Sequence, residues 1–145
     1  MRIVIDADGC PVVNIAVRMA RERQLPCLIV CDISHRFERE GAETITVSKG
    51  ADSADFKIAN LTTSQDIVIT QDYGLAAMCL TRGARVLHQD GFLYTPENID
   101  ALLFERHHSK KLRAARVRMK NIPKRTKAQD LAFEEKLCAL LDRNL

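Results

Sequence analysis

Short runs of branched aliphatic residues that stop abruptly on aspartate, each followed by a helical pattern, constrain this chain more than any other feature. Residues 2–5 (Arg-Ile-Val-Ile) read as a buried strand closed by Asp6. Residues 28–33 and 44–48 read as further strands, the latter rich in β-branched residues. Ile67-Val68-Ile69-Thr70 follows Asp66 and reads as a fourth strand; residues 85–88 read as a weaker fifth. Helical spacing lies between them. Pro11 suits a first helical turn, and Val12, Ile15, Ala16 and Met19 then recur at helical intervals to about Gln24. A second helix follows Asp52, with Ala54, Ile58, Ala59 and Leu61 apolar. A third, over residues 73–81, stops at Gly83, a natural C-cap. Strands alternating with helices predict βαβ units and a mainly parallel sheet covered on both faces. In such sheets ligands sit beyond the carboxyl ends of the strands.

The remainder is helical and basic. A long helix is expected from Pro96 to about Lys120, broken by Asn121-Ile122-Pro123. Its apolar stripe (Ile99, Leu102, Leu103) thins after Glu105. Thr126 and Gln129 form a capping-box signature for a last helix striped by Phe133, Leu137, Leu140 and Leu141. That stripe can pack on the body or on a second copy of the chain in a homodimer. The chain of 145 residues therefore divides into an α/β domain over residues 1–104 and a basic helical extension over 105–145, packed on the domain or projecting from it.

Charge follows the same division. Residues 1–104 carry 10 Lys and Arg against 14 Asp and Glu, and residues 105–145 carry 12 against 5. An acidic body with a basic arm can hold cations in one place and polyanions in another. Between Arg106 and Lys127 there are ten Lys and Arg and no acid. Arg106, Lys110, Arg113 and Lys120 fall near one helical face, with His107, Lys111 and Arg116 in the same run. Such a stripe neutralises phosphates without reading sequence, which makes a polyanion the expected partner. The bland alternative is a solvated face. No apolar run approaches the ~20 residues that span a bilayer, so no membrane partner is expected and the cytoplasm is the default. Five cysteines without a CxxC pair argue against a disulfide framework and a zinc cluster.

Three loci carry the chemistry. Asp6 and Asp8 follow the first strand, two residues apart, and so point to one side in extended geometry. Asp72 follows the fourth. Asp52 and Asp55 open the second helix on one face. Each has an ordinary explanation, since Asp ends strands, caps helices and favours their N-terminal dipole. Together, on a parallel sheet, they gather at one edge. Clustered carboxylates repel unless a cation neutralises them. Mg²⁺ or Mn²⁺, bound by carboxylate and water oxygens, fits that need and supports phosphoryl transfer.

The segments Asp6-Ala-Asp8-Gly-Cys10-Pro11-Val12, Gly50-Ala-Asp52-Ser-Ala-Asp55 and Ile67-Val-Ile-Thr70-Gln-Asp72-Tyr-Gly74 resemble the YaiI/YqxD family of bacterial proteins. The likeness runs on through Gly91-Phe-Leu-Tyr94-Thr and Asn98-Ile-Asp100 and covers roughly the first 115 residues. That family is similar to PIN-like and NYN nuclease domains, which are metal-dependent RNases. The resemblance implies a three-layer α/β/α fold with a mainly parallel sheet and added C-terminal helices. It implies catalytic and metal-binding roles for Asp6, Asp8, Asp55 and Asp72, with Asp52 and Thr70 supporting them.

Cys10 precedes a helix N-terminus, where a thiolate would be stabilised. No nearby histidine activates it, so a supporting place beside the carboxylates is the expectation. The reading is thus a metal-dependent phosphodiesterase acting on RNA through an activated water. One alternative is a haloacid-dehalogenase-like phosphatase with Asp6 as nucleophile and Asp8 as acid. It lacks a Lys between Thr70 and the arm, and Asp72 comes too soon after Thr70. Another is a non-catalytic RNA-binding module.

Overall fold

In a computed structural model, residues 1–33, 37–48, 53–115 and 124–142 are described, with the side chains of Ser53 and residues 106–115 left aside. In chain order the elements are β1 (Arg2–Asp6), α1 (Val13–Glu22), β2 (Cys27–Asp32), β3 (Glu43–Val47), α2 (Ser53–Leu61), β4 (Asp66–Ile69), α3 (Tyr73–Thr81), β5 (Arg85–Leu87), β6 (Leu93–Tyr94), α4 (Pro96–Ala115) and α5 (Lys127–Asp142). The strands form one six-stranded sheet in the order β3-β2-β1-β4-β5-β6. All neighbours are parallel except the β5–β6 pair. The three-layer α/β architecture expected from the sequence is therefore present. The short β6 was not anticipated, because two residues are too few to show a period. Pro11 lies in the turn before α1 rather than in its first turn, and Val12 takes the N-cap position.

The alternation of aliphatic residues builds both cores. Ile3, Ile5, Ile29, Ile67, Ile69 and Leu87 point to one face, against α1 and α5. Val4, Leu28, Val30, Val68 and Val86 point to the other, against α2, α3 and the start of α4. Central strands buried on both faces need continuous apolar runs, which β1, β2 and β4 supply. Asp66 is the exception. It is buried at the amino end of β4 and is paired with Arg2 at 2.8 and 3.1 Å.

Right-handed crossovers explain which helix lies where. The step from β1 to β2 places α1 on one face. The chain then crosses back to β4 and on to β5, in the opposite direction, which places α2 and α3 on the other face. The first face is left half bare, and α5 covers it. Phe133, Leu137, Leu140 and Leu141 are buried there. Arg18 bonds Glu134 at 2.7 Å across the α1–α5 contact. The capping box forms as expected: the Thr126 N–H donates to Gln129 Oε1 at 2.8 Å, and the Gln129 N–H donates to Thr126 Oγ1 at 3.4 Å. Gly91, at φ +90°, lets α5 approach closely, since a Cβ there would lie 2.5 Å from the Ala132 carbonyl oxygen. No helix among the described residues is long and apolar enough to cross a membrane.

Candidate functional site

The strand order reverses between β1 and β4, and the crevice outside their carboxyl ends is where such sheets hold ligands. Ile5 pairs with Ile69, so the next residues, Asp6 and Thr70, emerge side by side. Thr70 Oγ1 donates to Asp6 Oδ2 at 2.8 Å and accepts from the Asp72 N–H at 3.0 Å. One hydroxyl thus links the Asp6 carboxylate to the main chain of Asp72. Asp72 is the N-cap of α3: its Oδ1 accepts from the Gly74 and Leu75 N–H groups at 2.8 and 3.2 Å. The ordinary role of an aspartate at a helix start is therefore also present, and it fixes the direction of this carboxylate. Tyr94, at the rim of the sheet, donates its hydroxyl to the Thr70 carbonyl at 3.2 Å.

The loop after β1 closes over this edge. Asp8 Oδ2 accepts the Asp32 N–H at 2.9 Å, which ties the loop to the end of β2. Gly9, at φ +71°, lies where a Cβ would come within 3.1 Å of Gln71 Nε2, so the β1–α1 and β4–α3 loops abut. Asp55 stands in the first turn of α2, which the chain enters from the carboxyl side of β3. The charges of Asp6 and Asp55 both act on the Cys79 thiol between α3 and the sheet, which burial pushes up to about 11. Asp6, Asp8 and Asp72 therefore follow the carboxyl ends of β1 and β4, and Asp55 lies apart from them in the first turn of α2. Asp52 lies outside the described residues.

Asp6 is the perturbed member. Burial raises its carboxyl to about 6, the Thr70 hydrogen bond opposes the rise, and the charges of Asp72 and Asp8 add to it. Among the described residues, no group of three or more His, Cys, Asp or Glu side chains is arranged to hold a metal ion. A hard cation does not require one: Mg²⁺ keeps several waters and is commonly held by one or two carboxylates with substrate phosphate. A buried carboxyl raised partly by two neighbouring acids is chemically suited to such an ion.

Cys10 is partly buried against the core, and burial pushes its thiol up to about 11, with the Asp6 charge adding to the rise. Desolvation and a nearby carboxylate outweigh the hydrogen bond to Val12, which disfavours a reactive thiolate there.

The basic run is seen only in part. Arg106, His107, Lys110, Lys111 and Arg113 lie on α4 with side chains outside the described set, and Arg116 and Lys120 fall outside the described residues. Arg125, near the end of the run, is committed to structure. It donates to Asp130 at 2.7 Å, to Asp90 at 2.6 Å and to the Gln89 carbonyl at 2.6 Å. These bonds pin the start of α5 to the loop after β5.

Two features of this edge were missed in the sequence. Asp32 ends the apolar run of β2 as Asp6 ends that of β1, and the same signal was there to read. The second is a ring cluster. His88 stacks on Phe92 at 4.3 Å, and Tyr94 meets Tyr73, His88 and Phe92 edge-on. These residues are scattered over 22 positions with no shared period, so only the fold gathers them.

The model of the family described as "Uncharacterized BCR, YaiI/YqxD family" matches residues 4–143. The chain is 46% identical over its whole length to a UPF0178 protein of Alkaliphilus oremlandii, covering 94% of that protein. It is 47% identical to a UPF0178 protein of Exiguobacterium sibiricum, over 97% of this chain and 96% of the relative. With a UPF0178 protein of Ruminiclostridium cellulolyticum it shares 47% identity over 94% of this chain and 90% of the relative. No solved structure matches the chain.

An acid raised in the native state keeps its proton there above pH 4, whereas the unfolded chain has lost it. Stability therefore falls as pH rises from about 4 to above 6, by on the order of 3 kcal/mol for a shift of this size. Asp6→Asn removes this slope and stabilises the metal-free protein at pH 8. Urea unfolding at pH 4 and pH 8 checks it, and an unaltered slope in the variant contradicts it.

Proposed function

We propose that this chain, which belongs to the YaiI/YqxD family, is a divalent-metal-dependent phosphodiesterase acting on RNA. One observation carries the reading. The strand order reverses between β1 and β4, and there the Thr70 hydroxyl joins the Asp6 carboxylate to the Asp72 N–H, with the charges of Asp72 and Asp8 acting on Asp6.

Asp6 and Asp72 would hold Mg²⁺ or Mn²⁺, with Asp8 adding negative charge at the same edge and Asp55 adding it from the first turn of α2. A bound ion of this kind supplies an acidified water nucleophile and neutralises charge that builds on the phosphoryl oxygens. The chain's own residues set the geometry. Thr70 holds the Asp6 carboxylate in one orientation, and the first N–H groups of α3 hold that of Asp72. The buried setting of Asp6 limits water around it and strengthens its interaction with any cation. An acidic edge repels nucleic acid by itself. The run from Arg106, with its net positive charge, supplies the attraction, and Arg125 ties its far end to the loop after β5.

Two expectations follow from this division of labour. Mg²⁺ or Mn²⁺ raises the melting temperature, because an ion that binds only the folded state stabilises by mass action. Asp6→Asn abolishes most of that rise in calorimetry; an undiminished rise places the ion elsewhere.

The combination Arg106→Glu and Arg113→Glu weakens RNA binding and leaves the metal response intact. Each phosphate contact on a single strand contributes a salt slope of ~0.7, so losing two cations lowers the slope by about one to two units. Binding isotherms across a salt series read this directly. If the double variant binds as tightly as the wild type with the same slope, the arm is only a solvated surface.

A further inference from the structure

We propose that Tyr94 is a positioning residue of this site: its hydroxyl holds the main chain at Thr70, and with it the threonine hydroxyl that joins the Asp6 carboxylate to the Asp72 main-chain N–H. The inference rests on reading that edge as a cation and phosphate site, and it adds a residue from the far rim of the sheet.

The geometry begins where the sheet ladder ends. The last paired residues of β4 and β5 are Ile69 and Leu87, and the Thr70 N–H still reaches the Leu87 carbonyl at 3.1 Å. Beyond that point the Tyr94 hydroxyl, at 3.2 Å, donates to the Thr70 carbonyl in place of another strand. Thr70 is thereby fixed at both its N–H and its C=O, and its hydroxyl donates to the Asp6 carboxylate and accepts from the Asp72 N–H.

Tyr94 is itself immobilised. It is 2% exposed. Its ring meets Tyr73 at 5.8 Å, His88 at 5.9 Å and Phe92 at 5.3 Å, all at 66–67°, the edge-on arrangement aromatic pairs favour. Phe92 is backed by the stacked His88 ring, which accepts the Asp90 N–H at 2.9 Å through Nδ1. Tyr73 directly follows Asp72, so the ring cluster grips the β4–α3 loop on both sides of the acid. A phenylalanine would fill this space as well. A phenol so deeply buried is stable because its hydroxyl has an acceptor, and that acceptor is the Thr70 carbonyl.

Tyr94→Phe keeps the ring and its packing and deletes only the hydroxyl; Thr70→Val deletes the threonine hydroxyl itself. Two measurements are made on the full chain: the Asp72 amide proton shift by NMR without metal, and the Mn²⁺ dissociation constant by EPR. In Tyr94→Phe the Asp72 amide moves toward its unbonded position, and Mn²⁺ binds about 3–10-fold more weakly, the scale of one hydrogen bond. In the Thr70→Val background, adding Tyr94→Phe changes Mn²⁺ affinity by less than about twofold, because the group it acts through is gone. An unmoved Asp72 amide in folded Tyr94→Phe overturns the proposal, and so does a full Tyr94→Phe effect in the Thr70→Val background. If the wild type binds no Mn²⁺, the functional reading fails while the amide shift still decides the role of Tyr94.

Discussion

The handedness of the crossovers governs this molecule. A chain that steps outward from β1 to β2 and β3, and then returns to β4 and β5, must put its helices on opposite faces. That reversal opens a crevice between the carboxyl ends of β1 and β4, and it leaves the α1 face incompletely covered. The first consequence places Asp6 beside Thr70. The second explains why α5 belongs to the core rather than to an appendage: Phe133, Leu137 and Leu140 fill the uncovered half of the face. The close approach at Gly91 and the Arg125 bonds then lock the start of α5 to the same edge that carries the acids.

The site is assembled against its own electrostatics. Ionising Asp6 is opposed by burial and by two neighbouring acids, and only the Thr70 hydrogen bond works the other way. Such an arrangement costs stability when Asp6 ionises, a cost that the proposed cation would relieve. The rigidity around it is neutral in charge. It comes from the α3 N-terminus holding Asp72, from Asp32 holding Asp8 through its main chain, and from Tyr94 holding Thr70. Cys10 shares this environment, where burial and the Asp6 charge together raise its thiol.

Much of this was legible in the sequence because strand-end aspartates and helix periods are local signals. The β1 and β4 runs, the 73–81 helix with its Gly83 stop, and the Thr126–Gln129 capping box all follow from residues within a few positions of one another. Asp6, Asp8 and Asp72 could be assigned to one edge because parallel topology converts "after a strand" into "at the carboxyl side". What escaped depends on distant pairing. The strand β6 is two residues held by β5, and the ring cluster joins side chains from α3, β6 and the loop between β5 and β6. Asp32 was hidden inside a strand drawn one residue too long, to 33 rather than 32.

The claim that joins these observations is that the β1–β4 edge performs metal-dependent chemistry on RNA and that Asp6 is indispensable to it. The direct measurement is cleavage of an end-labelled single-stranded RNA by purified protein, with Mn²⁺ or with chelator, for the wild type and for Asp6→Asn prepared identically. The account predicts cleavage by the wild type in Mn²⁺ only, with Asp6→Asn reduced to the level of the chelator control. Cleavage of equal rate in Asp6→Asn, or no cleavage by a wild type that binds both Mn²⁺ and RNA, contradicts it.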